Sequence, residues 1–129
     1  MLDLLLIDDN PTDVLLTQIA FEDAGIAAHL HLASDGVDGL AFLRREAGFE
    51  HASRPDAVLL DLNMPRINGL EVLEAMKADP DLAAIPVFLL LASASEVEVW
   101  QARQLRADGY LPKPVDPAAV LDLLEAGAR

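Results

Sequence analysis

Ala57-Val58-Leu59-Leu60-Asp61-Leu62-Asn63-Met64-Pro65 runs four apolar residues without interruption into a single aspartate. A short apolar run bounded by turn residues fits a strand buried on both faces of a parallel sheet. Pro65 ends it, because proline biases the residue before it to an extended conformation and has no N–H to give to a ladder. Asp61 therefore falls at the carboxyl end of a buried strand, where open α/β sheets place their ligands. Taken alone, a strand-end aspartate is as easily a solvated surface group. Acidic residues arriving from other strands are what turn it toward chemistry.

Upstream, Leu2 to Ile7 reads as a first buried strand that runs directly into Asp8-Asp9. Asn10 is placed to cap the following helix, Pro11 suits its first position, and Asp13 is favourable near the positive helix end. Leu16, Ile19, Ala20 and Phe21 are its expected apolar face, and Gly25 its stop. Residues 28 to 32, Ala-His-Leu-His-Leu, alternate as a strand at the side of a sheet would. His29 and His31 then share one face. With no third ligand nearby in the sequence, a solvated strand face is the expectation there rather than a metal site.

Asp35-Gly36 marks a turn, and Val37, Leu40, Ala41 and Arg44 give residues 37 to 45 helical spacing. Residues 46 to 55 read as a loop closed by Pro55, ahead of the strand at 57 to 61. Asn68-Gly69 opens a helix carrying Leu70, Leu73 and Met76, which Asp79-Pro80-Asp81 breaks. Pro86 to Leu91 is a fourth buried strand. A helix from about Glu96 to Arg106, a short strand around Gly109 to Leu111 and a last helix capped by Asp116-Pro117 complete the chain. Five strands alternating with five helices, without linker or repeat, predict one domain over 1–129. Its fold class is α/β, a flavodoxin-like doubly wound five-stranded parallel sheet in the order 2-1-3-4-5 with helices on both faces.

Composition narrows the function. The 129 residues carry 22 acidic and 9 basic side chains, a formal charge of −13, which repels phosphate backbones and anionic membranes. The absence of cysteine removes disulfides, thiol nucleophiles and thiolate metal sites. Leu2 to Ile7 is too short to span a bilayer and lacks the basic flank of a signal peptide. A soluble cytoplasmic protein is the expectation.

In the expected sheet the first and third strands are neighbours, so Asp8, Asp9 and Asp61 end side by side. Carboxylates crowded together repel, and a hard divalent cation such as Mg2+ relieves the conflict. The fifth strand ends at Lys113, which brings a positive charge to the same rim. Carboxylates, a divalent cation and a lysine around an open position suit phosphoryl transfer, which needs charge neutralisation and positioning more than covalent machinery.

Leu-Leu-Ile-Asp8-Asp9-Asn-Pro, Leu-Leu-Asp61-Leu-Asn-Met-Pro, Ile-Pro-Val at 85 to 87 and Asp-Gly-Tyr110-Leu-Pro-Lys113-Pro114 follow one another in the order and spacing of a known family. Over essentially its full length the chain resembles a response-regulator receiver domain of two-component signalling. The Asn-Pro-Thr-Asp continuation and the loop at 46 to 55 are similar to stand-alone regulators that partner phytochrome-type histidine kinases. The resemblance implies that Asp61 accepts a phosphoryl group from a kinase phosphohistidine. It implies that Asp8, Asp9, Asp61 and the backbone carbonyl of Asn63 hold Mg2+. It further implies that Lys113 pairs with the phosphoryl oxygens, that the Lys113–Pro114 bond is cis, and that Tyr110 is the switching aromatic.

Two positions depart from the pattern. Leu91 stands where the family has Thr or Ser at the end of the fourth strand, with Ser93 and Ser95 downstream as substitute hydroxyls. Arg106 stands where the family has glycine, so the turn there is expected to be built differently. A receiver without an output domain acts by contact. The helix over 96–106 carries Val97, Val99, Trp100, Ala102 and Leu105 all round its circumference, more than one core stripe holds, and so predicts a homodimer or partner contact with Tyr110's strand and the last helix.

Other classes weigh less. A pseudo-receiver adaptor or phosphate sink with weak switching is favoured by Leu91 and opposed by the intact acids and Lys113. A phosphohydrolase with an aspartyl nucleophile lacks its second acid, because Asn63 stands there. Flavin phosphate would be repelled by Asp8-Asp9.

Overall fold

A computed structural model describes residues 2–46, 48–62, 64, 67–91, 104 and 106–127. The strands are β1 (Leu2–Ile7), β2 (Ala28–Ala33), β3 (Ala57–Asp61), β4 (Val87–Leu91) and β5 (Gly109–Pro112). The helices among the described residues are α1 (Pro11–Asp23), α2 (Gly36–Arg44), α3 (Gly69–Ala78) and α4 (Pro117–Gly127). All pairings are parallel and the order is β2-β1-β3-β4-β5, as the alternation of apolar runs predicts. Most of the expected helix over 96–106, including Val99 and Trp100, lies outside the described residues, as do Asn63, Ser93 and Ser95.

Every residue of β3 and β4 is buried. Leu5, Ile7, Val58, Leu60, Leu89 and Leu91 pack with Leu40, Phe42, Val72 and Met76 of α2 and α3 on one face. Leu4, Leu6, Leu59, Phe88 and Leu90 pack with Phe21 and Val120 of α1 and α4 on the other. A fully buried Leu, Val or Phe side chain contributes about 1.5–3 kcal/mol, so these two layers carry the fold.

Register then sets the rim. Ile7 lies opposite Leu60, so Asp8 and Asp61 leave neighbouring strands at the same level. Leu91 lies opposite Pro112, and Lys113 N donates to Leu91 O at 3.0 Å. Donors alternate along a parallel strand, so the Pro112 nitrogen faces the open edge, where no ladder bond is lost.

Local signals hold at the helix starts. Asn10 Oδ1 accepts from Thr12 N and Asp13 N, and Asn68 forms a reciprocal capping box with Glu71. The expected apolar face of α1 needs correction. Thr17 and Phe21 are buried, while Leu16 (48% exposed) and Ile19 (41%) point outward with Leu15. The register begun at Asn10 aims the 14-17-21 row at the sheet, and Thr17 Oγ1 meets its burial by donating to Asp13 O at 2.8 Å.

Arg106 also corrects its expectation. It adopts the left-handed conformation itself, φ 62°, at a cost of roughly 1–2 kcal/mol. The chain just after it is clamped: Asp108 N donates to Val87 O, and Asp108 Oδ2 accepts from Val87 N and Lys77 Nζ.

One close approach ties α3 to the rim. Gly69 N donates to Leu62 O at 2.9 Å, and a Cβ on residue 69 would collide with the carbonyl oxygen of Asp61. That neighbour is backbone and cannot swing aside. Gly69→Ala is therefore expected to destabilise the fold by about 1–3 kcal/mol, read as a lower urea midpoint at unchanged slope.

Candidate functional site

Three strand ends and one helix start build the site. Asp8 follows β1, Asp61 closes β3, Lys113 follows β5, and Asp13 stands in the first turn of α1. Oxygens of Asp8, Asp9 and Asp61 all lie within 4.8 Å of one another. Asp8 and Asp61 are buried, whereas Asp9 is exposed at the rim. Lys113 Nζ lies 3.0 Å from Asp61 Oδ1, 2.9 Å from Asp13 Oδ2 and 3.5 Å from Asp8 Oδ2. The Lys113–Pro114 peptide bond is cis. Clefts of about 230 and 360 Å3 flank the rim, the first lined by Asp8, Asp13, Thr17 and Lys113 and the second by Asp8, Asp9 and Asp38. Asp8 thus borders both clefts.

One ammonium faces three carboxylates, those of Asp8, Asp13 and Asp61. Burial, foremost, pushes the Asp8 carboxyl up to about 6, with the neighbouring Asp61 charge adding to it and the Asn10 N–H opposing. Burial alone would lower Lys113, but hydrogen bonds to Asp13 and Asp61 outweigh it and hold the ammonium above the ordinary lysine value. Asp8 Oδ1 accepts from Asn10 N at 2.9 Å, while buried Asp8 Oδ2 accepts no hydrogen bond. An orphaned buried oxygen within a set of three hard oxygen donors fits a divalent cation of the Mg2+ or Mn2+ kind.

Asp8, Asp9, Asp61 and Lys113 come together; Asn63 and Ser93 lie outside the described residues. Tyr110 is on β5 with its side chain partly exposed. Leu91 is 2% exposed and packs in the cluster beneath α2 and α3, so the end of β4 presents hydrocarbon in place of a hydroxyl. Asp13 is a site residue that the sequence reading treated only as a helix-end charge; its signal was the Asn-Pro-Thr-Asp run. The expectation that His29 and His31 lack a third ligand also fails, because Asp3 of β1 meets both. A larger cavity of about 550 Å3 at the opposite rim is lined by Arg44, Arg54, Asp79 and Ile85. Its Arg44 faces Asp79 and its Arg54 donates to Asp81 O, and it shares no residue with the carboxylate rim.

A raised carboxyl has a definite sign in stability. Between its ordinary value near 3.8 and about 6, the folded protein binds a proton at Asp8 that the unfolded chain has released. Stability of the cation-free protein therefore falls as pH rises through that window. Asp8→Asn removes the charge and keeps the shape. It is expected to raise the urea midpoint at pH 7.5 and to leave it nearly unchanged at pH 4.5.

The family profile described as "Response regulator receiver domain" matches residues 4–125. Response regulator Rcp1 of Synechocystis is 37% identical over 110 residues, which span 85% of this chain and 75% of that protein. The structure of the bacteriophytochrome response regulator AtBRR is similar with a TM-score of 0.88 and 31% identity, covering 99% of this chain and 93% of that one. The phosphorylated cyanobacterial phytochrome response regulator RcpA gives 0.80 and 33%, covering 96% and 89%. The Mn(2+)-bound form of Rcp1 gives 0.81 and 32%, covering 98% and 91%. With the carboxylate rim, the lysine and the sheet order already in place, these matches establish that the chain belongs to the response regulator receiver domain family.

Proposed function

We propose that this chain is a response-regulator receiver that accepts a phosphoryl group from a histidine kinase onto Asp61 with Mg2+ and signals by protein–protein contact. The observation that carries the reading is the Asp61 carboxylate, held at the end of a wholly buried strand with Lys113 Nζ at 3.0 Å and the Asp8 and Asp9 oxygens converging on it. An Asp61 oxygen attacks phosphorus, the P–N bond to the kinase imidazole breaks, and the imidazole takes up a proton. Lys113 meets the phosphoryl oxygens, which requires it to relax its hold on Asp13. Asp8, Asp9, Asp61 and the Asn63 carbonyl would hold Mg2+, which when bound neutralises charge on the phosphoryl oxygens. A similar protein carries Mn(2+) and another is phosphorylated, and both support the assignment.

A phytochrome-type kinase is the proposed partner, since the similar structures include phytochrome and bacteriophytochrome regulators. Tyr110 and Leu121 are each 38% exposed, which suits the proposed homodimer contact through the helix over 96–106, β5 and the last helix. No helix among the described residues is long and apolar enough to cross a membrane, in keeping with the cytoplasmic setting we infer.

Leu91 adds a functional departure. A hydrogen bond to a charged group contributes roughly 1.5–3 kcal/mol, or about ten- to a hundredfold in a two-state equilibrium. Without a hydroxyl at the end of β4, phosphorylation biases the active state less.

Exposure to a small acyl phosphate with Mg2+ is expected to add one phosphoryl mass to the protein, and Asp61→Asn to abolish the addition. Lys113→Ala is expected to retain Mg2+ binding while uncoupling phosphorylation from the conformational response. Undiminished labelling of Asp61→Asn would remove the assignment. Leu91→Thr is expected to increase the ratio of partner affinities measured with and without a phosphoryl mimic. An unchanged ratio would show that another group already supplies the missing hydrogen bond.

A further inference from the structure

The carboxyl rim uses one end of β1; the other end carries an unassigned constellation. Asp3 of β1 lies opposite His29 of β2, and His31 is two residues further along the same face. Asp3 Oδ1 is 3.2 Å from His31 Nε2 and 3.8 Å from His29 Nδ1, and one ligand atom from each residue falls within 4.8 Å of the others. A tetrahedral ion with bonds of about 2.0–2.1 Å needs donor–donor edges of roughly 3.3 Å, which these two separations bracket. Both Asp3 separations are therefore within about half an ångström of that edge.

Two of the three groups are already held. The Asp3 backbone exchanges two bonds with Asp56, Asp3 N donating to Asp56 Oδ2 and Asp56 N donating to Asp3 O, each at 2.7 Å. The His31 ring lies against Phe42 at a centroid distance of 5.3 Å, and Phe42 against Phe49 at 5.5 Å. His29 is the open side: its side chain is 62% exposed and its ring lies 4.2 Å from that of His31. This gives two ligands fixed by the fold and a third, His29, open to solvent.

We propose that Asp3, His29 and His31 form a binding site for a borderline divalent transition cation of the zinc class, clamping edge strand β2 to β1 at the end of the sheet away from the carboxylate rim. Two imidazoles and one carboxylate select this class over Mg2+, which prefers an all-oxygen set, so the two sites divide their ions by chemistry. A cation held only by the folded state stabilises it.

The test uses untagged full chain with saturating Mg2+ to fill the carboxylate rim, titrated with Zn2+ by calorimetry and followed by thermal unfolding. One equivalent of Zn2+ is expected to bind and to raise the Tm. His29→Ala keeps the strand and removes an exposed ring; it is expected to weaken Zn2+ binding by at least about tenfold, the smallest loss seen even for groups behind the ligands. Asp3→Asn is expected to do the same, and His51→Ala to change nothing. Absence of saturable Zn2+ binding, binding unchanged in His29→Ala and Asp3→Asn, or loss of binding in Asp9→Asn or His51→Ala would each overturn the site. Phosphorylation of Asp61 is unaffected by any of these results, so the two readings fail separately.

Discussion

Negative charge concentrated at the end of an apolar sheet is the constraint on which the rest of this structure depends. Asp8 and Asp61 are buried beside one another because the strands that carry them are buried and their register brings both to the same level. The fold itself does little to relieve the repulsion. Asp8 Oδ1 takes one backbone N–H, its other oxygen takes none, and a single lysine is divided among three carboxylates. A site left short of positive charge in this way fits a divalent cation.

Lys113 is the element that can report the change. In the structure described here it is shared between Asp13 and Asp61, at nearly equal distances. A phosphoryl group on Asp61 would add oxygens on one side of that balance, and Asp13 lies in the first turn of α1. Chemistry at the rim is thereby linked to a helix whose outer side exposes Leu15, Leu16 and Ile19. The hydroxyl that the family places at the end of the fourth strand is replaced by Leu91, which is occupied in the core beneath α2 and α3.

The fold was legible because its signals are local and redundant. Apolar runs of four or five residues in β1, β3 and β4, each closed by an acid, proline or turn, specify buried parallel strands. The crossover rule then leaves little choice of topology. The cap at Asn10 and the helix start at Asn68 follow from single-residue chemistry, and each is found as read. Asp8, Asp9, Asp61 and Lys113 were legible for the same reason, since a residue at the end of a buried parallel strand has only one rim to occupy.

Other features needed distant segments placed against each other. Which side of α1 turns inward depends on its docking to the sheet, and that docking buries Thr17 and exposes Leu16 against the expectation from hydrophobicity. Asp13 finds Lys113 across 100 residues of sequence, and Asp3 finds His29 and His31 across a strand pair. Arg106 takes a left-handed conformation because bonds around Asp108 hold the following chain. By itself the sequence determined the sheet, its order and the four residues at its rim, through burial and strand periodicity. Tertiary structure alone decided which remaining polar groups meet, because those contacts turn on distances of a few ångströms between segments that no local pattern relates.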